Sequence, residues 1–245
     1  MGARCAQMNV PFRHRTEAGR TLAQSLSHLA GREDVLVLAV PHGGVPVAFE
    51  VARALDAPLD LAVVQPILYS RGPSSRDVTL GLLGAPAALQ LHEATLNALD
   101  LSDEALGQAL SRARRQLRQR VRAMRPAAPV PSLEGRTVVV VDDGTATGMT
   151  LRRAAGLLRR AGARALVAAV PVGAEEALRL LASEFEEVVC CAQPEPFVSV
   201  SDGYDSYPDV TDAQVRELLA RARSGYAPRK KDRREVGLRA DIPSP

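Results

Sequence analysis

The chain has no tryptophan, and aromatic residues make up only 3% of its 245 positions. A core without large rings must be built from Leu, Val and Ala, and apolar residues are plentiful at 46%. Cysteine is scarce too: three residues, an odd number, with no CxxC pair. That argues against a disulfide-stapled secreted module and against a thiolate metal site. Cys190 and Cys191 close an apolar run and read as strand residues. No run approaches the roughly 18 consecutive apolar residues that cross a bilayer. The opening MGARCAQMNV has no hydrophobic signal segment, and Ala6 breaks the acylation pattern that Gly2 begins. The expected location is the cytoplasm, with no membrane partner.

Lysine is almost missing as well. Lys230 and Lys231 stand alone; every other Lys-or-Arg position is Arg. The net charge of +3 is unevenly placed. Residues 221–245 carry eight Arg or Lys against three acids, so the rest of the chain is slightly acidic. Polyanion binding needs a concentrated basic face, not a basic total, so nucleic acid is not the expected partner. Residues 225–245 have little apolar content, and a disordered basic tail is expected there.

What is present is an alternation of short apolar runs and amphipathic stretches. Val35–Val40, Leu59–Val64, Thr137–Val141, Ala165–Val170 and Glu187–Cys191 read as strands, most of them buried on both faces. Arg15–Leu29, Val45–Leu55, Leu101–Met124, Thr150–Ala161, Ala174–Ser183 and Thr211–Ser224 read as helices. Thr211 or Asp212 is the expected cap of the last. Residues 65–90 are rich in Gly, Pro and Ser and read as irregular, with short strands near Val78–Leu83. The pattern predicts one α/β domain over residues 1–224. It is a doubly wound, mostly parallel five-stranded sheet with helices on both faces. A flap or hood is inserted at about 65–130. No internal repeat is evident.

In such sheets ligands bind beyond the carboxyl ends of the strands. Two loops there carry chemistry. After Thr137–Val141 come Asp142 and Asp143, then Gly144, Thr145, Ala146, Thr147, Gly148, Met149 and Thr150, where a helix starts. Free backbone N–H groups, Thr hydroxyls and a helix N-terminus form a phosphate cradle. The two carboxylates would repel a phosphate; they suit vicinal hydroxyls or a metal. Together they describe a site for a phosphorylated sugar. The loop has no Gly-Lys-Thr, so it is not a P-loop, and its acidic pair separates it from the dinucleotide fingerprint. The second loop is Pro41-His42-Gly43-Gly44.

The segment VVVVDDGTATGMT resembles the phosphoribosyl-diphosphate motif of type I phosphoribosyltransferases. The likeness runs from about Phe12 to about Ala220. It is nearest to stand-alone bacterial phosphoribosyltransferase-domain proteins that open on FRxRxEAGxxLA and have no assigned substrate. The resemblance implies a Rossmann-like fold and magnesium-dependent transfer of phosphoribosyl from 5-phosphoribosyl 1-diphosphate to an unidentified, nucleobase-like acceptor, releasing diphosphate. It implies that residues 144–150 hold the 5-phosphate. Asp142 and Asp143 would take the ribose hydroxyls, one through Mg2+. Pro41, His42, Gly43 and Gly44 would form the diphosphate loop, where relatives usually carry Arg in place of His42. Gln65-Pro66 stands where relatives usually present Arg-Lys, so Arg71 or Arg76 of the flap would have to supply the lost charge. Phe197 and Tyr204 fall near the expected acceptor end, with stacking on a planar acceptor and packing over the sheet edge both open. A homodimer is also open.

Two other function classes stand beside the enzyme. One is a weak or inactive phosphoribosyl-ligand binder, regulatory in role, with RNA contact through the Arg-rich stretch 112–125. A solvated Arg face is the plainer reading of that stretch. The other is a structural subunit with no ligand.

Overall fold

Uninterrupted Val and Leu runs form strands only where both faces are covered, and that condition is met here. The computed structural model describes residues 4–5, 11–70, 76–85, 88–125 and 131–225. In chain order the strands are β1 (Arg4–Cys5), β2 (Val35–Ala39), β3 (Leu59–Leu61), β4 (Val63–Tyr69), β5 (Val78–Ala85), β6 (Ala88–Leu91), β7 (Thr137–Val141), β8 (Ala165–Val172) and β9 (Glu187–Ala192). The helices are α1 (Arg15–Ser25), α2 (Gly44–Leu55), α3 (Glu93–Leu99), α4 (Asp103–Met124), α5 (Met149–Arg160), α6 (Glu175–Leu181) and α7 (Asp212–Gly225).

The main sheet runs β1-β9-β8-β7-β2-β3, with every pair parallel. All five expected strands contribute to it, though Leu59–Val64 does so only through Leu59–Leu61, Val63 and Val64 belonging to β4, and the two-residue β1 adds a sixth at one edge. Alternate residues of each strand serve different cores. Val35, Val37, Ala39, Val139 and Val141 belong to a core that also takes in buried residues of α1, α2, α4 and α7. Leu36, Leu38, Val138 and Val140 face α5 and α6. The order reverses between β2 and β7, so the chain winds outward in both directions from that pair. In-register pairing from Val35↔Thr137 to Ala39↔Val141 ends the two strands at one level. Their following loops therefore emerge side by side, at the topological switch point where open α/β sheets bind ligands.

The flap differs from the irregular segment expected. Val63–Tyr69, Val78–Ala85 and Ala88–Leu91 build a three-stranded antiparallel sheet, β4-β5-β6, in which β5 contains the strand expected near Val78–Leu83. Pro66, Gly81 and Gly84 are strand residues. Pro66 pairs with Leu82, and at Gly81 a Cβ would meet the Gln90 carbonyl at 2.3 Å. Glycine is needed there for close approach of β6. One face of this sheet carries α4, whose Ala109, Ala113 and Leu117 recur every four residues and are buried. The other face packs on α5. Gln65 is buried in β4 and its amide donates to Gln116 Oε1 of α4 (3.1 Å).

The last helix begins one residue later than its expected limit. Thr211 is its cap, its hydroxyl accepting from the Gln214 amide (3.3 Å). Most of the expected tail, residues 226–245, lies outside the described residues. No helix among the described residues is long and apolar enough to cross a membrane.

Candidate functional site

The loops after β2 and β7 meet over a cavity of about 460 Å³, lined by Arg15, Val40, Pro41, His42, Gly43, Asp142, Asp143, Thr150, Tyr207, Asp209 and Val210. The Val40 amide donates to the Val141 carbonyl (2.8 Å), which ties the loops together at their base. Contact is then too close for side chains. A Cβ on Gly43 would lie 2.0 Å from Asp143 Oδ2, and one on Gly44 would lie 2.7 Å from the Val141 carbonyl. The glycine pair of the second loop therefore lets that loop pass the acidic pair. The Pro41–His42 peptide is cis.

The 144–150 loop is held by its own threonines. The Gly148 amide donates to Thr145 Oγ1 (3.0 Å) and the Met149 amide to Thr147 Oγ1 (3.4 Å). The Thr145 amide donates to the Val172 carbonyl (3.0 Å), and Ala174 donates back to the Thr145 carbonyl (2.9 Å). Gly144 and Thr145 are buried beneath the loop, while Ala146, Thr147, Met149 and Thr150 are not. Ala146 and Thr147 present amides with no protein partner among the described residues. They stand beside the first turn of α5, so the arrangement fits an anionic group.

Asp143 is 7% exposed and heavily engaged. Arg15 Nε donates to its Oδ2 (2.7 Å), and the Tyr207 hydroxyl donates to the same oxygen (2.8 Å). The Tyr204 hydroxyl donates to its carbonyl (2.5 Å). Arg15 is itself fixed. Its Nη1 donates to the Pro208 carbonyl (2.7 Å), and its guanidinium lies 3.7 Å from the Tyr207 ring centre. Burial alone would lower the Arg15 pKa, but the Asp143 hydrogen bond and charge leave it raised. Burial, then the Asp143 charge, pushes the Tyr207 hydroxyl up to about 12, so it stays a donor near neutral pH.

Asp142 keeps some surface, and its Oδ1 accepts from the Asp143 amide (2.9 Å). Burial of its carboxyl first, and the Asp143 charge second, raise its pKa well above the usual carboxylate range. Among the described residues no group of three or more His, Cys, Asp or Glu is arranged as a metal cage. Magnesium usually arrives with substrate oxygens and one or two carboxylates. Asp142 and Asp209 on the cavity wall fit that mode. On Asp143, Oδ2 is already taken by Arg15 and Tyr207.

Of the expected site residues, Pro41, His42, Gly43, Asp142, Asp143 and Thr150 line one cavity. Gly44 and residues 144–149 shape it from behind or beside. His42 Nε2 lies 2.8 Å from Asp212 Oδ1, at the first residue of α7. Arg71 lies outside the described residues. Arg76 is exposed and does not line the cavity, and neither does the Gln65-Pro66 pair. Tyr204 is 6% exposed, with its hydroxyl bonded to Asp143 and its ring against Phe12 and Tyr207. Its ring packs; it offers no free face to an acceptor. Phe197 lines a separate cavity of about 560 Å³ with Glu175, Glu176 and Glu195. Sequence reasoning missed Arg15, Asp209 and Asp212 as site residues, and it read Tyr207 beside Tyr204 as acceptor stacking or edge packing where the structure bonds its hydroxyl to Asp143. The signal for Arg15 was the FRxRxEAG opening itself. In the Arg-rich stretch, Arg125 is bound to buried Asp60 (2.6 Å), whereas Arg112, Arg115, Arg118 and Arg122 are exposed on α4.

Residues 13–200 match the family model described as phosphoribosyl transferase domain. The chain is 37% identical over 216 residues to two provisionally named phosphoribosyl transferases of Mycobacterium tuberculosis, strains CDC 1551 and H37Rv. That alignment covers 88% of this chain and 48% of either relative, so the chain spans about half the length of the curated relatives it matches. A shorter stretch of 73 residues is 47% identical to a ribose-phosphate pyrophosphokinase of Methanopyrus kandleri, covering 28% of this chain and 25% of that one. The crystal structure of TT1426 from Thermus thermophilus superposes with a TM-score of 0.69 at 36% identity, over 89% of this chain and 99% of that one. With the acidic pair, the threonine loop and the switch-point cavity in place, the chain belongs to the phosphoribosyl transferase domain family.

Proposed function

We propose that the cavity binds the ribose 5-phosphate half of 5-phosphoribosyl 1-diphosphate and transfers the phosphoribosyl group to an acceptor, releasing diphosphate. The observation that carries this reading is the paired loops at the β2–β7 switch point, with amides and hydroxyls at residues 145–150 and two carboxylates beside them. In this reading the Ala146 and Thr147 amides and the Thr150 hydroxyl take the 5-phosphate. Asp142 accepts a hydrogen bond from a ribose hydroxyl. Asp143, fixed by Arg15 and Tyr207, sets the position of the loop that Gly43 crosses. Magnesium, held through Asp142 and Asp209 with the substrate's own oxygens, would neutralise leaving-group charge. Positive charge develops on the ribose ring during transfer, and the nearby carboxylates stabilise it electrostatically.

Titration calorimetry tests this with phosphoribosyl diphosphate and ribose 5-phosphate, each with and without magnesium. Both should bind, the diphosphate more tightly when magnesium is present. Asp142→Asn should weaken ribose 5-phosphate binding by about ten-fold, the worth of a hydrogen bond to a charged group. If neither compound binds the wild-type protein, the reading falls.

A second reading rests on the exposed row Arg112, Arg115, Arg118 and Arg122. Such a stripe suits a polyanion, and a regulatory protein that contacts RNA there would show binding that weakens steeply with salt. No binding to RNA at low salt would remove it.

A further inference from the structure

We propose that this cavity also hydrolyses nucleoside 5-monophosphates, with His42 accepting the proton of the attacking water and Asp212 positioning His42. The proposal rests on the ribose 5-phosphate reading above and extends it to a second reaction at the same ribose carbon.

The geometry starts from the loop after β2. In the transfer reading this loop holds the leaving diphosphate, on the face of ribose C1 opposite the acceptor. The reverse complex holds a nucleotide, with its base on the acceptor side. The face of C1 turned toward residues 41–44 is then open. What stands on that loop decides what attacks there. A guanidinium would favour an anionic diphosphate. The side chain here is an imidazole that lines the cavity.

Its partner fixes which nitrogen can act. An ionised carboxylate only accepts, so the 2.8 Å contact requires His42 Nε2 to carry the proton that Asp212 Oδ1 receives. In the neutral tautomer that this contact selects, Nδ1 carries the lone pair, and it has no donor among the described residues. A neutral imidazole oriented by a carboxylate is a general-base arrangement. Both side chains are near half-exposed, at 40% and 45%, so water reaches the pair from solvent. The surrounding charge points the same way. Asp142, Asp143 and Asp209 line the cavity, and the arginine beside them, Arg15, is bound to Asp143 and to the Pro208 carbonyl. A neutral water enters that field without the magnesium that a diphosphate needs there.

The step balances without a co-reactant. The water oxygen bonds to ribose C1 while the bond from C1 to the base nitrogen breaks. That electron pair leaves with the base, which takes a proton from solvent. The water proton passes to His42 Nδ1. The products are ribose 5-phosphate and the free base.

The test incubates the full chain with adenosine, guanosine, uridine and cytidine 5-monophosphates in water enriched in oxygen-18. Base release is followed by chromatography, and label in ribose 5-phosphate by mass spectrometry. The expected result is release from at least one nucleotide, with one labelled oxygen at C1. His42→Ala should lower the rate by about 100-fold or more, the usual worth of a general base, while ribose 5-phosphate binding persists. Asp212→Asn should lower kcat by about ten-fold with KM unchanged, and Asp212→Glu should recover part of that loss. A thermal melt of each variant reports folding. A protein that binds ribose 5-phosphate yet releases no base overturns this inference alone. So does release undiminished in His42→Ala. Absence of ribose 5-phosphate binding in the wild type overturns the underlying reading as well.

Discussion

A carboxylate that is 7% exposed needs partners, and Asp143 draws them from both ends of the chain. Arg15 opens α1, Tyr207 precedes α7, and both reach one oxygen, Oδ2. Taking away one member of a buried ion pair leaves the other charge uncompensated, at about 3–5 kcal/mol. Arg15→Met should therefore cost about that much in a urea titration, and a loss under about 1 kcal/mol would contradict the network. Arg15→Lys should not restore it. An ammonium lacks the fork that reaches Asp143 and the Pro208 carbonyl together. Tyr207→Phe removes one hydrogen bond to a charged group and keeps the ring beneath the guanidinium, so about 1.5 kcal/mol is expected. These contacts were hidden in the sequence for a simple reason. Arg15 and Asp143 are 128 residues apart, and His42 and Asp212 are 170 apart. Local pattern reveals a contiguous loop such as 142–150; it does not reveal which distant side chain closes on it.

Elements were legible where one physical signal dominated. Five consecutive β-branched residues over Thr137–Val141 permit little except a buried strand, and β7 has those limits. Most helices fell within a few residues of expectation, because their apolar stripes repeat at helical spacing. The flap was read only in part: a strand near Val78–Leu83 was expected, whereas Pro66 and Gly84 speak for loops when taken one at a time. Their strand roles come from cross-strand pairing, which is a tertiary fact. The same flap explains why Gln65-Pro66 does not face the cavity: β4 is stitched to α4 through Gln65 and Gln116. One buried charge joins the layers behind it. Asp60 on β3 accepts from Arg125, which follows α4, at 2.6–3.1 Å, and Arg223 of α7 lies 3.9 Å away. Asp60→Asn leaves two guanidinium groups facing a neutral amide. A loss of about 3 kcal/mol is expected, with α7 loosened before the sheet. Hydrogen exchange should show α7 amides losing protection while β7 keeps its own. Equal loss in both would mean that Asp60 is not the joint between α4 and α7.

Across the whole molecule the two ends of the main sheet carry different electrostatics. The carboxyl end gathers Asp142, Asp143 and Asp209 around the cavity. The amino end is knotted by Asp34, which accepts from Arg32 Nη2 (2.9 Å), Thr137 Oγ1 (2.8 Å) and Arg164 Nη2 (2.5 Å). The knot ties the approach to β2, the start of β7 and the approach to β8. The Arg32 hydrogen bond is the main cause that holds the Asp34 carboxyl down at about 2, and it outweighs a burial effect of opposite sign. A carboxyl whose folded pKa is depressed contributes stability fully above its unfolded value, near 4. That contribution fades as pH falls toward 2. A shift of this size is worth at most about 2.5 kcal/mol. Denaturant midpoints of wild type and Asp34→Asn, measured from pH 6 down to pH 2, should therefore differ by about that amount at pH 6 and converge at the acid limit. Charge held at the amino end acts on stability alone, so ribose 5-phosphate affinity at pH 7 should be the same in both proteins. A gap that stays constant down to pH 2 would assign the effect of Asp34 to lost shape and packing instead of its charge.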